Sequence, residues 1–211
     1  MEEKEKILVR ILKAPIRFFL PYNLRLWIYI LRDPSRKVTH WWDKVTICSR
    51  ENIASFMADI LKQNIVKNPI VELGTGPYRF NKDLFGKRYK FIATDIRYYE
   101  GIIDTVCCGE NLPFSSSSAG TVICSEVLEH VPKFIELIKE ICRVLMDDGV
   151  LVLTTPFGYH FHDSPNDYWR FTTYGLKYIL NPYFKDINIK MYSYIKDDEF
   201  PLNICLTASK K

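Results

Sequence analysis

The sequence predicts an α/β fold, a doubly wound and mostly parallel seven-stranded sheet with an antiparallel edge strand. Short, β-branched apolar runs of four or five residues recur along the chain, as in strands buried on both faces. A clear amphipathic helix separates two of these runs, so the order alternates between strand and helix and implies right-handed crossovers. The last two apolar runs are typical of a hairpin at the sheet edge.

The helices are predicted from the spacing of apolar residues and from their end signals. The first covers 46–67, with Ser49 as a candidate N-cap and apolar residues at helical spacing from Ile53 to Leu61. The clearest covers Pro132 to Met146, begins near a proline and ends at a glycine. A short helix begins at Thr172 or Thr173 and ends at Leu180, before Asn181 and Pro182.

The strands are predicted at seven places. Five are the buried runs Ile70–Leu73, Phe91–Thr94, Ile102–Val106, Thr121–Cys124 and Val150–Thr154. The final two are 187–194 and 204–208. Because parallel strands end at one edge of the sheet, the turns that follow the five buried runs are the expected place for a ligand.

The N-terminal fifth differs from the rest in charge. The 211 residues carry a net charge of +4, which is too small to indicate nucleic-acid binding. Residues 1–45 hold ten Lys and Arg against five Asp and Glu, so the remainder is slightly acidic. The chain is therefore expected to divide into a basic, apolar segment, 1–45, and a main domain, 46–211. Two interpretations of the first segment stay open: it contacts an anionic partner, or it is an ordinary basic face exposed to solvent.

Residues 7–31 alternate between apolar and basic positions, and Pro15 and Pro21 divide them into short helical pieces. The segment is expected to be either a lid on the main domain or a patch that lies peripherally on a membrane surface. No apolar run approaches a transmembrane length, and no signal peptide begins the chain. The six cysteines lack zinc-site or disulfide-framework spacing, so we expect reduced thiols in a cytoplasmic protein.

A glycine turn directly after the first buried strand is the strongest functional signal. The strand ends at Glu72 and Leu73, and Gly74 and Gly76 follow with Thr75 between them. Glycines at such a turn let the backbone approach a ligand that a Cβ atom would exclude. Asp95 ends the next strand, 19 residues beyond Gly76, where a carboxylate can accept both hydroxyl groups of a ribose. A purely conformational glycine turn and a capping aspartate are the structural alternatives.

The turn disfavours a dinucleotide. The dinucleotide fingerprint has a third glycine three residues after the second, which seats the pyrophosphate on the helix. Here that position is Arg79, and Pro77 and Tyr78 precede it. A nucleoside ligand without a pyrophosphate fits these residues better.

With these motifs the sequence resembles the class I S-adenosylmethionine-dependent methyltransferases, in particular the type 11 branch. The resemblance covers residues 70–156 and continues loosely to about 180. It includes the glycine turn, Thr94–Asp95, Glu110–Phe114, Ser125–Val131 and Asp148–Pro156, all in the family's order. It implies a Rossmann-like domain with a final antiparallel strand, methyltransferase activity and S-adenosylmethionine as the cofactor.

The resemblance also implies which residues bind the cofactor. Glu72, Gly74, Thr75 and Gly76 would flank its methionine part, and Asp95 and Ile96 would bind the ribose region. The adenine would lie by Cys108, Gly109, Glu110 and Leu112, and the floor near the methyl group would include Ser125, Glu126 and His130. Three positions depart from the family pattern: Cys108 replaces an aspartate, Ala119–Gly120 replaces Phe-Asp, and Tyr78 replaces a glycine.

The stretch 160–172 follows the fifth strand and is dense in groups that bind polar ligands. It resembles a His-Asp-x-Pro-x-Asp-Tyr-Trp-Arg-Phe-Thr stretch of type 11 methyltransferases of sugar and lipid pathways, which implies a small-molecule or lipid-linked acceptor. His162 with Asp163, or His130, is the candidate base for the acceptor proton. Tyr168, Trp169 and Arg170 are the candidate substrate-binding residues. In a direct displacement, the methyl group passes from the cofactor sulfur to the acceptor. The protein then mainly has to align the acceptor atom, the methyl carbon and the sulfur.

Structural roles remain open for the same residues. His130 could cap or pack, His162 and Asp163 could hold the loop together, and Asp167 with Arg170 could form an ion pair. Trp169 and Phe171 are expected in the core of the loop. Two residue types that bind metals, His and Asp, occur together at His160, His162, Asp163 and Asp167. No distant third ligand is evident, so the sequence predicts no metal site.

Two other functions stay open at this point. The three departures from the family pattern, at Tyr78, Cys108 and Ala119–Gly120, would suit a non-catalytic binding protein that keeps the fold. The basic N-terminus with Trp41 and Trp42 would suit a nucleic-acid methyltransferase. Against the second, the fourth strand ends in Ser125–Glu126 where base-methylating enzymes have an Asn-Pro-Pro-Tyr type of motif.

Overall fold

The computed structural model describes residues 41–78, 80–162, 165–194 and 200–211. The predicted lid or membrane segment therefore lies outside the described residues, and the division at residue 45 stays a prediction. Helix α1 covers Trp41–Gln63 and begins five residues earlier than predicted. Ser49 is not its N-cap but lies inside the helix, where its hydroxyl accepts a hydrogen bond of 2.8 Å from Nδ2 of Asn203 on the last strand.

The sheet has seven strands in the order β3-β2-β1-β4-β5-β7-β6. Their bounds are Ile70–Leu73 (β1), Phe91–Asp95 (β2), Thr105–Val106 (β3), Ala119–Ser125 (β4), Leu145–Pro156 (β5), Phe184–Ser193 (β6) and Pro201–Lys210 (β7). The first five strands are parallel, and β7 pairs antiparallel with both β5 and β6. This confirms the predicted parallel sheet with an antiparallel edge.

Three further helices and two short 3-10 turns complete the described part of the chain. The helices are α2 (Phe80–Phe85), α3 (Phe134–Val144) and α4 (Thr173–Leu180), and the turns cover Gly86–Arg88 and Leu128–His130. The hydroxyl of Thr172 caps α4 by accepting a hydrogen bond from the backbone of Gly175. The strand predicted from Ile102 shrinks to β3, because the backbone N–H groups of Ile102 and Ile103 both donate to the carbonyl of Tyr99 in a turn.

The core lies on both faces of the sheet. Along β5, Leu151 and Leu153 pack with α3 and α4 on one face, while Val150 and Val152 pack with α1 on the other. This alternation is the period-two pattern of a strand buried on both sides. In the described residues no helix has the combination of length and hydrophobicity that crossing a membrane requires.

The chain reverses its direction across the sheet between β1 and β4. From β1 it proceeds to β2 and β3 on one side, and it then returns to β4 and β5 on the other side. A crevice forms outside the carboxyl ends of the strands at such a switch point, where ligands of open α/β sheets bind. The predicted site residues follow these strand ends.

Candidate functional site

The glycine turn after β1 has left-handed backbone at both glycines. Gly74 has φ +64° and Gly76 has φ +66°, values that side chains with a Cβ atom rarely adopt. A Cβ on Gly74 would lie 2.4 Å from Cγ2 of Val127, whereas one on Gly76 would have nothing within 4 Å. Gly74 thus permits close contact with the segment after β4, and Gly76 borders open space.

Glu72 is the last residue but one of β1, directly before this turn, and is buried. Its carboxylate accepts hydrogen bonds from Nδ2 of Asn81 and from the hydroxyl of Thr75, the latter at 2.9 Å. Burial raises the pKa of Glu72 to about 7, and the two hydrogen bonds oppose this rise. Sequence reasoning missed Asn81, because a polar residue at the start of a short helix gives no sign of where its side chain points.

Asp95 lies at the end of β2 and ties two loops together. Its Oδ2 atom accepts a hydrogen bond of 2.9 Å from the backbone N–H of Gly76. Its Oδ1 atom accepts one of the same length from the backbone N–H of Arg97. The carboxylate is therefore held beside the glycine turn, and its role in binding a ribose stays a prediction. Each oxygen keeps a lone pair for a further donor.

Exposed apolar side chains lie beside the turn at the ends of β1, β2 and β3. Tyr78, Ile96, Tyr98 and Val106 are each at least 51% exposed. Exposed apolar side chains that follow the strand ends are accessible to an apolar or aromatic ligand.

The predicted adenine segment forms a tight turn after β3. Cys108 is exposed, and its thiol donates to the carboxylate of Glu110. Leu112 is buried, its backbone N–H donates to Oε2 of Glu140 at 2.8 Å, and its carbonyl accepts from Arg143 at 3.0 Å. Glu140 and Arg143 form an ion pair on α3. Together they thus fix the backbone of this turn.

A hydrogen-bonded chain of side chains crosses the ends of β4 and β5. The hydroxyls of Ser125 and Thr154 lie 2.9 Å apart, and that of Thr154 donates to Oε1 of Glu126 at 2.9 Å. Glu126 has φ +53°, a left-handed conformation that is uncommon outside glycine. Burial raises its pKa, while Thr154, Asn203 and Arg170 oppose this rise.

Glu129 is a functional candidate that sequence reasoning did not single out. It lies in the 3-10 turn after β4 with a side-chain exposure of 0%. Burial, followed by the neighbouring Glu126, raises its pKa well above the usual range. The sequence signal was a second glutamate three residues after Glu126, but the spacing alone does not show that both side chains turn inward.

The structure brings His130 and His162 together. Their ring centroids lie 4.9 Å apart with the planes nearly perpendicular. Nδ1 of His130 lies 2.6 Å from the carbonyl of Asn166, and Nδ1 of His162 lies 3.2 Å from Oδ2 of Asp167. Burial, followed by the neighbouring His130, lowers the pKa of His162.

The loop 157–172 is held by the predicted ion pair. Arg170 binds both oxygens of Asp167, whose side chain is 3% exposed, against 22% for Arg170. Asp163 lies outside the described residues, so its pairing with His162 stays a prediction, and the carboxylate observed beside His162 is Asp167. Nε1 of Trp169 donates to the carbonyl of Val131, and Tyr168 is partly exposed.

The predicted site residues thus gather into two groups at one edge of the sheet. We call the first group the cofactor side: the turn after β1, Asp95, Ile96 and the turn 108–112. The second group, the acceptor side, comprises Ser125 to His130 and the loop 157–172. The pairing of Leu73 with Cys124 joins them in the sheet, and Val127 packs against Gly74 where they meet.

Comparison with known proteins identifies the family of this chain. The family model described as "Methyltransferase domain" matches residues 47–186, about two thirds of the chain. No curated protein matches this sequence.

Solved structures share the fold at low sequence identity. A Burkholderia thailandensis 1,6-didemethyltoxoflavin-N1-methyltransferase, solved with its substrate and S-adenosylhomocysteine, has a TM-score of 0.60 at 15% identity, over 88% of this chain and 85% of that one. A SAM-dependent methyltransferase from Archaeoglobus fulgidus has the same score and identity, over 74% and 94%. One from Methanosarcina mazei scores 0.53 at 18% identity, over 71% and 96%.

Proposed function

The chain belongs to the methyltransferase-domain family, as an S-adenosylmethionine-dependent enzyme, and we propose that its acceptor is a small molecule, a sugar or a lipid-linked sugar that loses a proton as it is methylated. One observation supports this proposal above the others. A pair of histidines with defined ring orientation, His130 and His162, lies on the acceptor side of the edge that carries the glycine turn.

The cofactor side fits S-adenosylmethionine, the cofactor of this family. Gly76 borders open space, Asp95 is held beside it with lone pairs to spare, and the exposed side chain of Ile96 follows directly. We propose that Asp95 binds the ribose, that Glu72, Gly74, Thr75 and Gly76 flank the methionine part, and that Ile96 with the turn 108–112 covers the adenine. The bound cofactor supplies an electrophilic methyl group on a good leaving group.

The acceptor side can take up the proton that the acceptor loses. Nδ1 of His162 faces two acceptors, the carbonyl of His160 at 3.3 Å and Oδ2 of Asp167 at 3.2 Å. It therefore carries the proton, and Nε2 keeps the free lone pair. The lowered pKa keeps this ring neutral near pH 7. His162 is thus our candidate base, with Asp167 as the residue that positions it.

The nature of the acceptor rests on the loop 157–172. Tyr168 and Trp169 are partly exposed and can pack against a sugar ring. Arg170 is engaged with Asp167, so we propose that it positions the loop rather than holding the substrate. A lipid-linked acceptor would suit the basic, apolar segment 7–31, which we propose as a lid or a peripheral membrane contact.

The first experiment is titration calorimetry with S-adenosylmethionine and S-adenosylhomocysteine. We expect binding by the wild-type chain and a loss of at least about 100-fold for Asp95→Ala, since several hydrogen bonds to a charged group disappear. A folded wild-type protein that binds neither compound would contradict the cofactor assignment.

The second experiment separates the acceptor side. His162→Gln should keep the affinity for S-adenosylhomocysteine while methyl transfer from radiolabelled cofactor to a panel of sugars and lipid-linked sugars falls by about 100-fold or more. Unchanged transfer would rule out the histidine base. Cofactor binding without transfer to any acceptor would favour a non-catalytic protein, for which the thiol of Cys108 in place of a carboxylate is the supporting observation.

A further inference from the structure

Glu129, His130 and His162 converge on one point of the acceptor side. Each of them offers one ligand atom, and these three atoms lie within 4.8 Å of one another. Glu129 and His130 come from the 3-10 turn after β4, and His162 comes from the loop after β5. A carboxylate and two imidazoles form a ligand set that proteins use for zinc and for other first-row divalent metals.

The carboxylate of Glu129 lacks the partners that a buried carboxylate requires. Its exposure is 0%, and neither of its oxygens has a hydrogen-bond partner within the described part of the chain. Buried charged groups are paired or coordinate metals, because desolvation without compensation costs several kcal/mol. Nε2 of His130 lies 3.5 Å from Oε1 of Glu129, so one ion could contact both atoms.

Both histidines are oriented as metal ligands are. The Nδ1 atoms of His130 and His162 donate to the carbonyls of Asn166 and His160, at 2.6 and 3.3 Å, and Nδ1 of His162 also faces Asp167. Each ring therefore has its free lone pair on Nε2. Metal-binding histidines characteristically donate their other ring N–H to a carbonyl or carboxylate, which fixes the tautomer.

The charges around the cluster leave room for a cation. Glu126, Glu129 and Asp167 supply three carboxyl groups, and Arg170 is the cation that acts on all three. Arg170 already binds both oxygens of Asp167. Among the described residues, no lysine or arginine forms an ion pair with either glutamate.

We infer that Glu129, His130 and His162 form a binding site for a divalent transition metal ion, with Zn²⁺ as the ion that this ligand set fits best. Ligand atoms at about 2.0–2.1 Å from a tetrahedral zinc lie about 3.4 Å apart. The ligand atoms, which lie within 4.8 Å of one another, would therefore have to approach by up to about 1.4 Å. Three protein ligands leave one coordination position open, as in catalytic rather than structural zinc sites.

This site differs from the metal cluster weighed on the sequence. That cluster consisted of His160, His162, Asp163 and Asp167, and the sequence showed no ligand for it from a distant part of the chain. The distant ligands are Glu129 and His130, which the fold brings to His162 from 32 or more positions away in the chain. Asp167 is an outer partner of the site and not a ligand.

The consequence for catalysis rests on the proposed function, whereas the site itself does not. Metal binding and proton uptake use the same lone pair of His162, so a bound ion would replace this base. The acceptor oxygen would then bind the open position of the metal, its O–H bond would break, and the proton would pass to water.

The test is Zn²⁺ binding to chelator-treated, full-length protein, measured by calorimetry and by the absorption of the Co²⁺ complex. We expect one ion per chain with a dissociation constant below about 10 µM. Glu129→Gln and His162→Gln should each weaken binding by more than about 100-fold, beyond the cost of losing an outer partner. Glu129→Gln preserves the side-chain shape, and His162→Gln lies in a loop, so one of the two variants should remain folded.

Two control variants distinguish this site from other zinc-binding groups. His160→Gln removes a neighbouring histidine whose ring stacks on Tyr159, and Cys108→Ser removes an exposed thiol. Both should bind Zn²⁺ as the wild type does. Weak or absent wild-type binding, or binding that is lost with Cys108 and kept in His162→Gln, would overturn the proposal. Neither result affects the calorimetry with S-adenosylhomocysteine, so the methyltransferase proposal can fail or stand separately.

Discussion

The cofactor side and the acceptor side of the sheet edge differ in how the protein holds their carboxylates. On the cofactor side, Glu72 accepts hydrogen bonds from Thr75 and Asn81, and Asp95 accepts two from backbone N–H groups. On the acceptor side, Glu126 has hydrogen-bonding neighbours in Thr154 and Asn203, but the oxygens of Glu129 have no hydrogen-bond partner in the described residues.

This difference separates a preorganised site from one that is completed by its ligand. The cofactor side can hold its geometry without help, because each carboxylate is fixed by the protein itself. The acceptor side stores unfavourable electrostatics, which a proton, a cation or a substrate would relieve.

Replacing Arg170 should have the largest effect, because it removes the cation nearest to three carboxyl groups. Arg170→Gln is expected to destabilise the protein by about 3 kcal/mol, the lower end for a broken buried ion pair since Arg170 is partly exposed. The matched control is Arg143→Gln on α3, whose pair with Glu140 is more exposed and should cost about 1 kcal/mol. Chemical denaturation measures both, and equal losses would contradict the contrast.

The second effect is a pH dependence on the cofactor side. The pKa of Glu72 is about 7 in the folded protein and near 4.5 when unfolded. Between these two pKa values, Glu72 is ionised in the unfolded chain but still protonated in the folded protein. The free energy of unfolding therefore falls as pH rises and is constant above about pH 7. The total loss is about 3 kcal/mol. Glu72→Gln should lack this loss and be more stable than wild type at about pH 8.

The measurement is the difference between the wild-type and Glu72→Gln unfolding free energies across this pH range. Taking the difference removes the contributions of Glu126 and Glu129, which both chains share. A difference that does not change with pH would show that folding does not raise the pKa of Glu72. The same substitution should also weaken cofactor binding, so stability and affinity should move in opposite directions.

The contact between the two sides can be tested with a pair of glycine substitutions. Gly74→Ala and Gly76→Ala impose the same left-handed backbone cost of about 1–2 kcal/mol, but only Gly74→Ala overlaps Val127. We expect Gly74→Ala to be worse by about 1–3 kcal/mol, and Val127→Ala in the same chain to recover much of this difference. Thermal unfolding would measure it, and equal losses would mean that the two sides do not press on each other.

The smallest effect should come from Cys108. Partial desolvation, followed by the hydrogen bond with Glu110, raises the pKa of this exposed thiol, so it donates to Glu110 rather than offering a charge to the cofactor. Cys108→Asp would restore the acceptor that the family has at this position. We expect affinity for S-adenosylhomocysteine to rise by up to about 10-fold, the value of one added hydrogen bond. A fall in affinity would show that the adenine does not reach this turn.

The local sequence determined the parts of the fold that depend on nearby residues. Buried strands such as β1 coincide with their apolar runs, and Thr172 caps α4 as its side chain predicts. Boundaries set by long-range contacts were wrong. Ser49 has the chemistry of an N-cap but lies inside α1, because Asn203 on β7 provides its partner.

By itself the sequence determined the fold class, the ligand-binding edge, the glycine turn and Asp95, because each depends on residues close together in the chain and on the parallel sheet that they imply. Only the tertiary structure decided that Glu129 is buried with no hydrogen bond from the described residues, and that His162 meets His130 and Asp167. Burial and convergence depend on which loops a sheet brings to one edge and on the direction of each side chain. Spacing along the chain contains neither quantity.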